Sequence, residues 1–315
     1  MRVCQDMFPE TNGFFMDDRL KLQIDVLLKN ITNDWDFTII ITGQGEVRVG
    51  KSVLAMQIAC YWTYEIWKRY KIRVPFNTEE NFVFEGHNLI RKGNILGKNH
   101  KYSSLIFDEA GADLEGRKTM QSSTQAVLDF FRECGQYNLL NILVLPEYFD
   151  LPKGIALSRS IFLIDVFYTA NENAIFERGK FNLYSRRSKK WLYLKGKRDL
   201  NYSCVKSDFG NRPGRFFKFY PVNKEDYELM KLEALKRRES KVRNKFMVQR
   251  DALMYLLCGE KQGKDIKGGE KLFTQESLSK RMEQLTGIYV DRTVISDALR
   301  RLKVEFDEEN DNEEE

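Results

Sequence analysis

The sequence predicts an α/β fold, a mostly parallel sheet covered by helices, with a small helical domain after it. Three observations carry this. Short apolar, β-branched runs recur at DFTIIIT, NFVF, SSLIFDE, NILVLP and SIFLIDVFY. Helical patterns such as TQAVLDFFREC lie between several of them, and strands alternating with helices imply a parallel sheet. The first run leads straight into a glycine-rich loop and then a long helical stretch, GKSVLAMQIACYWTYEIWKRY.

Taken in order, residues 1–36 form an N-terminal helical segment, because Leu20, Ile24, Leu27 and Leu28 fall on one helical face after an acidic start. Residues 37–222 hold the sheet. Near its end FNLYSRRSKKWLYLKGKR alternates aromatic and basic residues, which reads as a basic β-ribbon near 180–198. Residues 223–244 read as a charged connector helix. Residues 245–304 read as a compact winged-helix-like module. FMVQRDALMYLLC is its first helix, Thr274 and Asp291 cap two more, and a GIYV turn separates those two. Residues 305–315 read as an acidic, disordered tail.

Composition narrows the function classes. The 315 residues are 42% apolar and 13% aromatic, enough for a real core. The formal charge is +5, but the tail holds eight carboxylates, which leaves about +13 on the rest of the chain. A basic body suits a polyanion partner. The tail is either a competitor for that partner or a plain solvated terminus. The five cysteines are dispersed with no CxxC pair, which excludes a disulfide framework or zinc site and fits a reducing, cytoplasmic compartment. With only His87 and His100, a histidine metal centre or a Ser-His-Asp triad has little support. No apolar run is long enough to span a membrane, and the N-terminus does not read as a signal peptide.

The loop explains the chemistry. Gly45-Glu46-Val47-Arg48-Val49-Gly50-Lys51-Ser52 is a full GxxxxGK[ST] match, with Gly43 before it and Val53 opening the helix. Glycines let backbone N–H groups turn inward around a phosphate. The helix start adds its donors and dipole. Lys51 reaches β/γ-phosphate oxygens, and the Ser52 hydroxyl can ligate Mg²⁺. ATP and Mg²⁺ are the cofactors expected. A second strand, Leu105-Ile106-Phe107, ends in Asp108-Glu109. An acid there holds the metal shell, and a following Glu can activate water for attack on the γ-phosphate. The pair therefore points to hydrolysis.

A competing pattern exists. Asp108–Gly111 matches DxxG, and Asn223–Asp226 matches the guanine-reading NKxD. Asn223, however, opens a charged helix instead of closing a buried strand, so it reads as an N-cap. A GTPase remains an alternative.

These residues resemble the HerA/FtsK superfamily of DNA-translocating ATPases, a RecA-like class of P-loop NTPase. The resemblance covers residues 37–168 and rests on the loop, Phe107-Asp108-Glu109-Ala110, Arg132-Glu-Cys-Gly135, Asn141–Leu145 and Ser158-Arg159. The zonula-occludens-toxin-like phage ATPases and viral packaging ATPases share this layout. The toxin-like proteins tend to carry a membrane span, which this chain lacks. Pro146-Glu147 stands where that superfamily has a Thr-Gln sensor, so Glu147 is the sensor candidate. The resemblance implies ATP between the subunits of a ring, commonly a hexamer, with Arg132 and Arg159 as candidate trans arginines.

Two regions are candidates for DNA. The 180–198 stretch offers Arg186, Arg187, Lys189, Lys190, Lys195, Lys197 and Arg198 among aromatics, as phosphate contacts or as a charge-protected sheet edge. The last helix offers Arg292, Arg300 and Arg301 to a groove, or an oligomer contact. The expected function is an ATP-hydrolysing DNA translocase or packaging motor. The alternatives are an ATP-gated DNA-binding switch and a non-hydrolysing structural subunit. Few histidines and many Asn and Lys residues suggest a virus or mobile element.

Overall fold

The structure, a computed structural model, describes residues 1–46, 48–110, 114, 122–241, 250–251, 253, 274–286, 289–291 and 293–300. The chain divides into two units, Met1–Ala234 and Leu235–Glu315.

In the first unit a short antiparallel pair, β1 (Arg2–Val3) and β2 (Phe14–Phe15), precedes helix α1 (Asp18–Asn30). Asp17 caps α1 by accepting from Arg19 N at 3.0 Å. Leu20, Ile24, Leu27 and Leu28 are its buried face, as their spacing predicts.

A seven-stranded sheet follows. Its members are β3 (Phe37–Thr42), β4 (Phe82–Val83), β5 (Ser104–Phe107), β6 (Leu140–Val144), β7 (Ser160–Ala170), β8 (Phe176–Tyr184) and β9 (Gly214–Arg215), in the order β4-β5-β6-β3-β7-β8-β9. The first five in that order run parallel, β8 pairs antiparallel to β7, and β9 pairs antiparallel to β8 and so runs with the first five. Every residue of β3 is buried. That is why its sequence is apolar throughout instead of alternating. β6 is inserted between the strand before the glycine loop and the strand before Asp108-Glu109.

The sheet separates two cores. Ile39, Ile41, Ile142, Val144, Phe162 and Ile164 face α1 and α2 (Lys51–Tyr70). Ile40, Leu105, Phe107, Leu143 and Leu163 face the other layer. That layer includes α4 (Gly86–Asn99), which follows a short α3 (Thr78–Asn81), and α5 (Ser122–Glu133). At Gly93 an added Cβ would lie 2.4 Å from the Phe130 ring, so the close approach of α4 and α5 depends on having no side chain there.

One expectation is corrected. Residues 186–196 are not a β-ribbon. β8 ends at Tyr184, and Arg186–Gly196 is helix α6. Its buried residues, Lys189, Leu192, Tyr193 and Gly196, fall at i, i+3, i+4 and i+7. The alternation of Trp191 and Tyr193 with basic residues concealed this helical period, because Trp191 faces solvent.

Helix α7 (Lys224–Lys241) begins in the first unit. In the second unit α8 (Gln275–Thr286) and a helical stretch at 293–300 bury Leu278, Ile295 and Ala298 together. Thr274 and Asp291 cap them, as expected from sequence, by accepting from Ser277 N at 3.2 Å and Thr293 N at 2.8 Å. Most of the stretch read as the module's first helix, the segment between it and Thr274, Arg292, Arg301 and the acidic tail lie outside the described residues. Among the described residues, no helix is long and apolar enough to cross a membrane.

Candidate nucleotide-binding site

The site lies where β3 ends. Gly43 N and Gly45 N both donate to Pro146 O, at 3.2 and 2.9 Å, so the loop is tied to the end of the neighbouring strand β6. Gln44, Gly45, Arg48 and Gly50 all have positive φ. This repeated left-handed backbone turns the chain back on itself, and glycine takes it without a Cβ penalty. At Gly50, φ is +105° and an added Cβ would sit 2.9 Å from the Phe216 ring, so only glycine fits there. Helix α2 starts at the next residue, which aims its free N–H groups at the space the loop encloses. Val47 lies outside the described residues.

Lys51 Nζ donates to Glu46 O across the loop. Burial, opposed by the Glu109 and Asp108 carboxylates, lowers its ammonium below the usual lysine range. Ser52 Oγ donates to Asp108 Oδ1 at 3.2 Å. Asp108 is 1% exposed. The next residue, Glu109, adopts φ 62°, an unusual left-handed conformation for glutamate, which turns its side chain out of the strand's line. Both acids line a cleft of about 900 Å³, together with Arg48 to Val53 and Val144 to Pro146.

Sequence reading missed the opposite wall. The residues expected to form a connector begin helix α7, and Lys224, Tyr227, Glu228 and Lys231 all line the cleft. Tyr227 donates its hydroxyl to Asp108 Oδ2. Lys231 Nζ lies 2.7 Å from Glu109 Oε1 and 3.4 Å from Asp108 Oδ2. Burial by itself would lower the Lys231 ammonium, but the two carboxylates outweigh it and hold it above the ordinary range. Burial, then the Asp108 charge, pushes the Tyr227 phenol far above its usual value, so it remains a donor. The available signal was the i, i+3, i+4, i+7 spacing of these four residues. Asn223 caps this helix by accepting from Glu225 N at 2.9 Å, so the NKxD pattern here is a helix start and not a strand end.

The donor set suits magnesium. Ser52 and Asp108 offer hard oxygen ligands side by side. Among the described residues no group of three or more His, Cys, Asp or Glu side chains could hold a metal unaided. A cation at Ser52 and Asp108 would therefore draw most of its ligands from phosphate and water, which is the usual magnesium arrangement at nucleotides.

The remaining candidates lie elsewhere. Glu147 does not line the cleft. Its Oε1 accepts from Phe149 N at 3.1 Å and from the Tyr202 hydroxyl, and burial raises its carboxyl. Arg159 pairs with Asp36 at 3.1 Å, beside the buried Cys134. Arg132 is largely exposed and pairs with Asp129 of its own helix at 2.7 Å.

Of the basic residues near α6, Arg186, Arg187, Lys190, Lys195, Lys197 and Arg198 are exposed. Lys189 is not available to a nucleic acid. It is fully buried and donates to Ala156 O and Leu157 O at 2.6 and 3.2 Å, and burial pulls it down to about 7. Arg300 is exposed, with Asp297 at 3.9 Å.

No protein-family model and no curated protein matches the sequence. Several solved structures overlap about half of the chain. The genome-packaging NTPase of Sulfolobus turreted icosahedral virus 2, in complex with ATP-γS, is 18% identical over 49% of this chain and 94% of its own, with a TM-score of 0.32. The N-terminal domain of zonular occludens toxin from Neisseria meningitidis is 12% identical, over 48% and 84%, with a TM-score of 0.33. A KaiC-like protein from Pyrococcus horikoshii OT3 is 16% identical, over 48% and 79%, with a TM-score of 0.30. At this identity and overlap the fold is established by the chain's own geometry. A glycine loop between a buried parallel strand and a helix, with an acid pair at the end of a second parallel strand, makes this a P-loop NTPase fold.

Proposed function

We propose that the protein is a Mg²⁺-dependent ATPase that acts on DNA. One observation carries the catalytic half: Ser52, Asp108 and Glu109 converge with Lys51 on one open cleft at a helix start. In this reading the loop N–H groups and Lys51 hold the β/γ-phosphates, and Ser52 and Asp108 hold the metal. The metal, when bound with ATP, neutralises charge on the phosphate oxygens. Glu109, the second acid of the pair, accepts the proton of the attacking water.

The DNA half is supported by the basic body charge and by the exposed cations on and after α6. A DNA translocase or packaging motor, working as a homo-oligomeric ring and most simply a hexamer, accommodates both halves. Arg132 is then the better of the two arginines to reach a neighbouring subunit's nucleotide, because its pair with Asp129 lies at the surface while Arg159 is held in a partly buried pair with Asp36.

The test is ATP turnover with and without double-stranded DNA, in the native chain and in Glu109→Gln. DNA-stimulated hydrolysis, lost in the variant while ATP binding survives, is the expected result. Hydrolysis equal in both proteins would remove Glu109 as the base. Hydrolysis indifferent to DNA would remove the motor. A second reading, an ATP-gated DNA-binding switch, is favoured by Tyr227 and Lys231, which tie a helix outside the sheet to both acids. It predicts slow turnover and nucleotide-dependent DNA affinity. Competition between ATP and GTP tests the GTPase alternative.

A further inference from the structure

The cleft has a third wall that the phosphate chemistry does not use. After β9 the chain continues as Phe216–Tyr220 and passes over the start of α2. Its position is built from the inside. Gln57, 1% exposed on the second turn of α2, donates to Phe217 O at 2.7 Å and to Phe219 O at 3.1 Å. Phe216 is buried against Gly50, and its carbonyl oxygen would lie 2.3 Å from a Cβ at Gly179. Phe219 stacks on Phe14 with ring centroids 5.1 Å apart. A buried amide, two glycines and an aromatic stack thus fix this backbone beside the phosphate loop.

The strap presents an aromatic side chain it does not bury. Phe217 lines the cleft and is 60% exposed, with one ring contact to Phe15 at 5.0 Å. Tyr220 lines the same wall, and Arg178 faces it from β8. A phosphate group has no use for an exposed phenyl ring. A planar heteroaromatic ring does, because stacking takes one face of each ring out of water and is tolerant of the base's hydrogen-bonding pattern. Val53, one residue after Ser52, also lines the cleft, so the apolar wall is continuous with the phosphate end.

We propose that Phe217, held by Gln57, is the stacking platform for the nucleobase of the bound nucleotide, with Tyr220 and Arg178 completing that subsite. This rests on the nucleotide-site reading above and extends it to the base.

The test is calorimetric binding of ATP and, separately, of inorganic tripolyphosphate to the full chain in the presence of Mg²⁺. The proteins compared are native, Phe217→Ala, Phe217→Leu and Phe217→Trp. Because tripolyphosphate has no base, the two ligands separate the subsite from the phosphate loop. Phe217→Ala and Phe217→Leu are expected to weaken ATP binding roughly 5- to 100-fold while tripolyphosphate binding is unchanged, with Phe217→Trp restoring ATP. Unchanged ATP affinity in Phe217→Ala would overturn the subsite. So would an equal loss for both ligands, which would mark Phe217 as structural. Failure of the native chain to bind either ligand would instead remove the nucleotide-site reading, and the subsite with it.

Discussion

The contact between Tyr227 and Asp108 gives a sharp test of how the site is held together. Replacing Tyr227 with Phe removes one hydroxyl and keeps the ring, which packs on Phe82 and Phe84 at 5.7 and 5.9 Å between centroids. Both partners are buried, Tyr227 at 5% exposed and Asp108 at 1%. A hydrogen bond to a charged group contributes about 1.5–3 kcal/mol. Asp108 retains Ser52 at 3.2 Å and Lys231 at 3.4 Å in the variant, so the loss belongs near the lower end, about 1.5–2 kcal/mol. All four tryptophans, Trp35, Trp62, Trp67 and Trp191, lie in the first unit, so their fluorescence during urea unfolding reports on that unit. With an m-value of about 3 kcal/mol/M the midpoint falls by about 0.5 M at unchanged slope. A double-mutant cycle with Asp108→Ala, which leaves no acceptor for the Tyr227 hydroxyl, isolates the pair, and its coupling is expected to exceed about 1 kcal/mol. A midpoint shift under about 0.2 M, or effects that simply add, would refute the reasoning.

Two further outcomes follow from other parts of the chain. Asp165, fully buried on β7, is raised to about 7, first by burial and then by the nearby Glu147, against the Gln44 hydrogen bond at 2.6 Å and the Lys51 charge. Its folded pKa exceeds its unfolded one, so its contribution to stability is complete below about pH 4 and is lost as pH rises through 7. Asp165→Asn, which keeps an acceptor for Gln44, flattens that slope in urea melts measured from about pH 4 to 8, and an unaltered slope would contradict the assignment. On the surface, the double variant Arg186→Ala, Lys190→Ala weakens DNA binding for all sequences alike. It lowers the slope of log affinity against log salt by about one for each phosphate that is no longer neutralised, measured by fluorescence anisotropy at several salt concentrations. An unchanged slope would take these two side chains off the DNA path.

The contrast between what the sequence disclosed and what it concealed follows from locality. The glycine loop and its helix are one contiguous stretch, and each residue type answers to a backbone or phosphate requirement within a few positions. Asp108 and Glu109 are legible for the same reason, since a buried strand that ends in two acids contradicts its own pattern. The site's far wall is another matter. Tyr227 meets Asp108 across 119 residues, and nothing near Asp108 announces a phenol. From the sequence, Lys224 and Lys231 look like ordinary solvated charges. Only their sharing of one helical face with a tyrosine distinguishes them, and many exposed helices show as much. Lys189 misleads in the opposite sense. Its basic neighbours make it look like a phosphate contact, yet it is buried on the inward face of α6, where its ammonium donates to the carbonyls of Ala156 and Leu157 in the helical turn at 154–159. Buried polar groups must find partners. Which partner they find depends on tertiary packing, and composition cannot supply it. The same holds for Gln57. A glutamine inside an apolar helix looks like noise until the Phe217 and Phe219 carbonyls are placed beside it. In this chain, then, the phosphate end of the site is written in consecutive residues. The walls that hold the acids, and in our proposal the base, are written in single side chains far apart in the sequence, whose purpose shows only when tertiary packing brings them together.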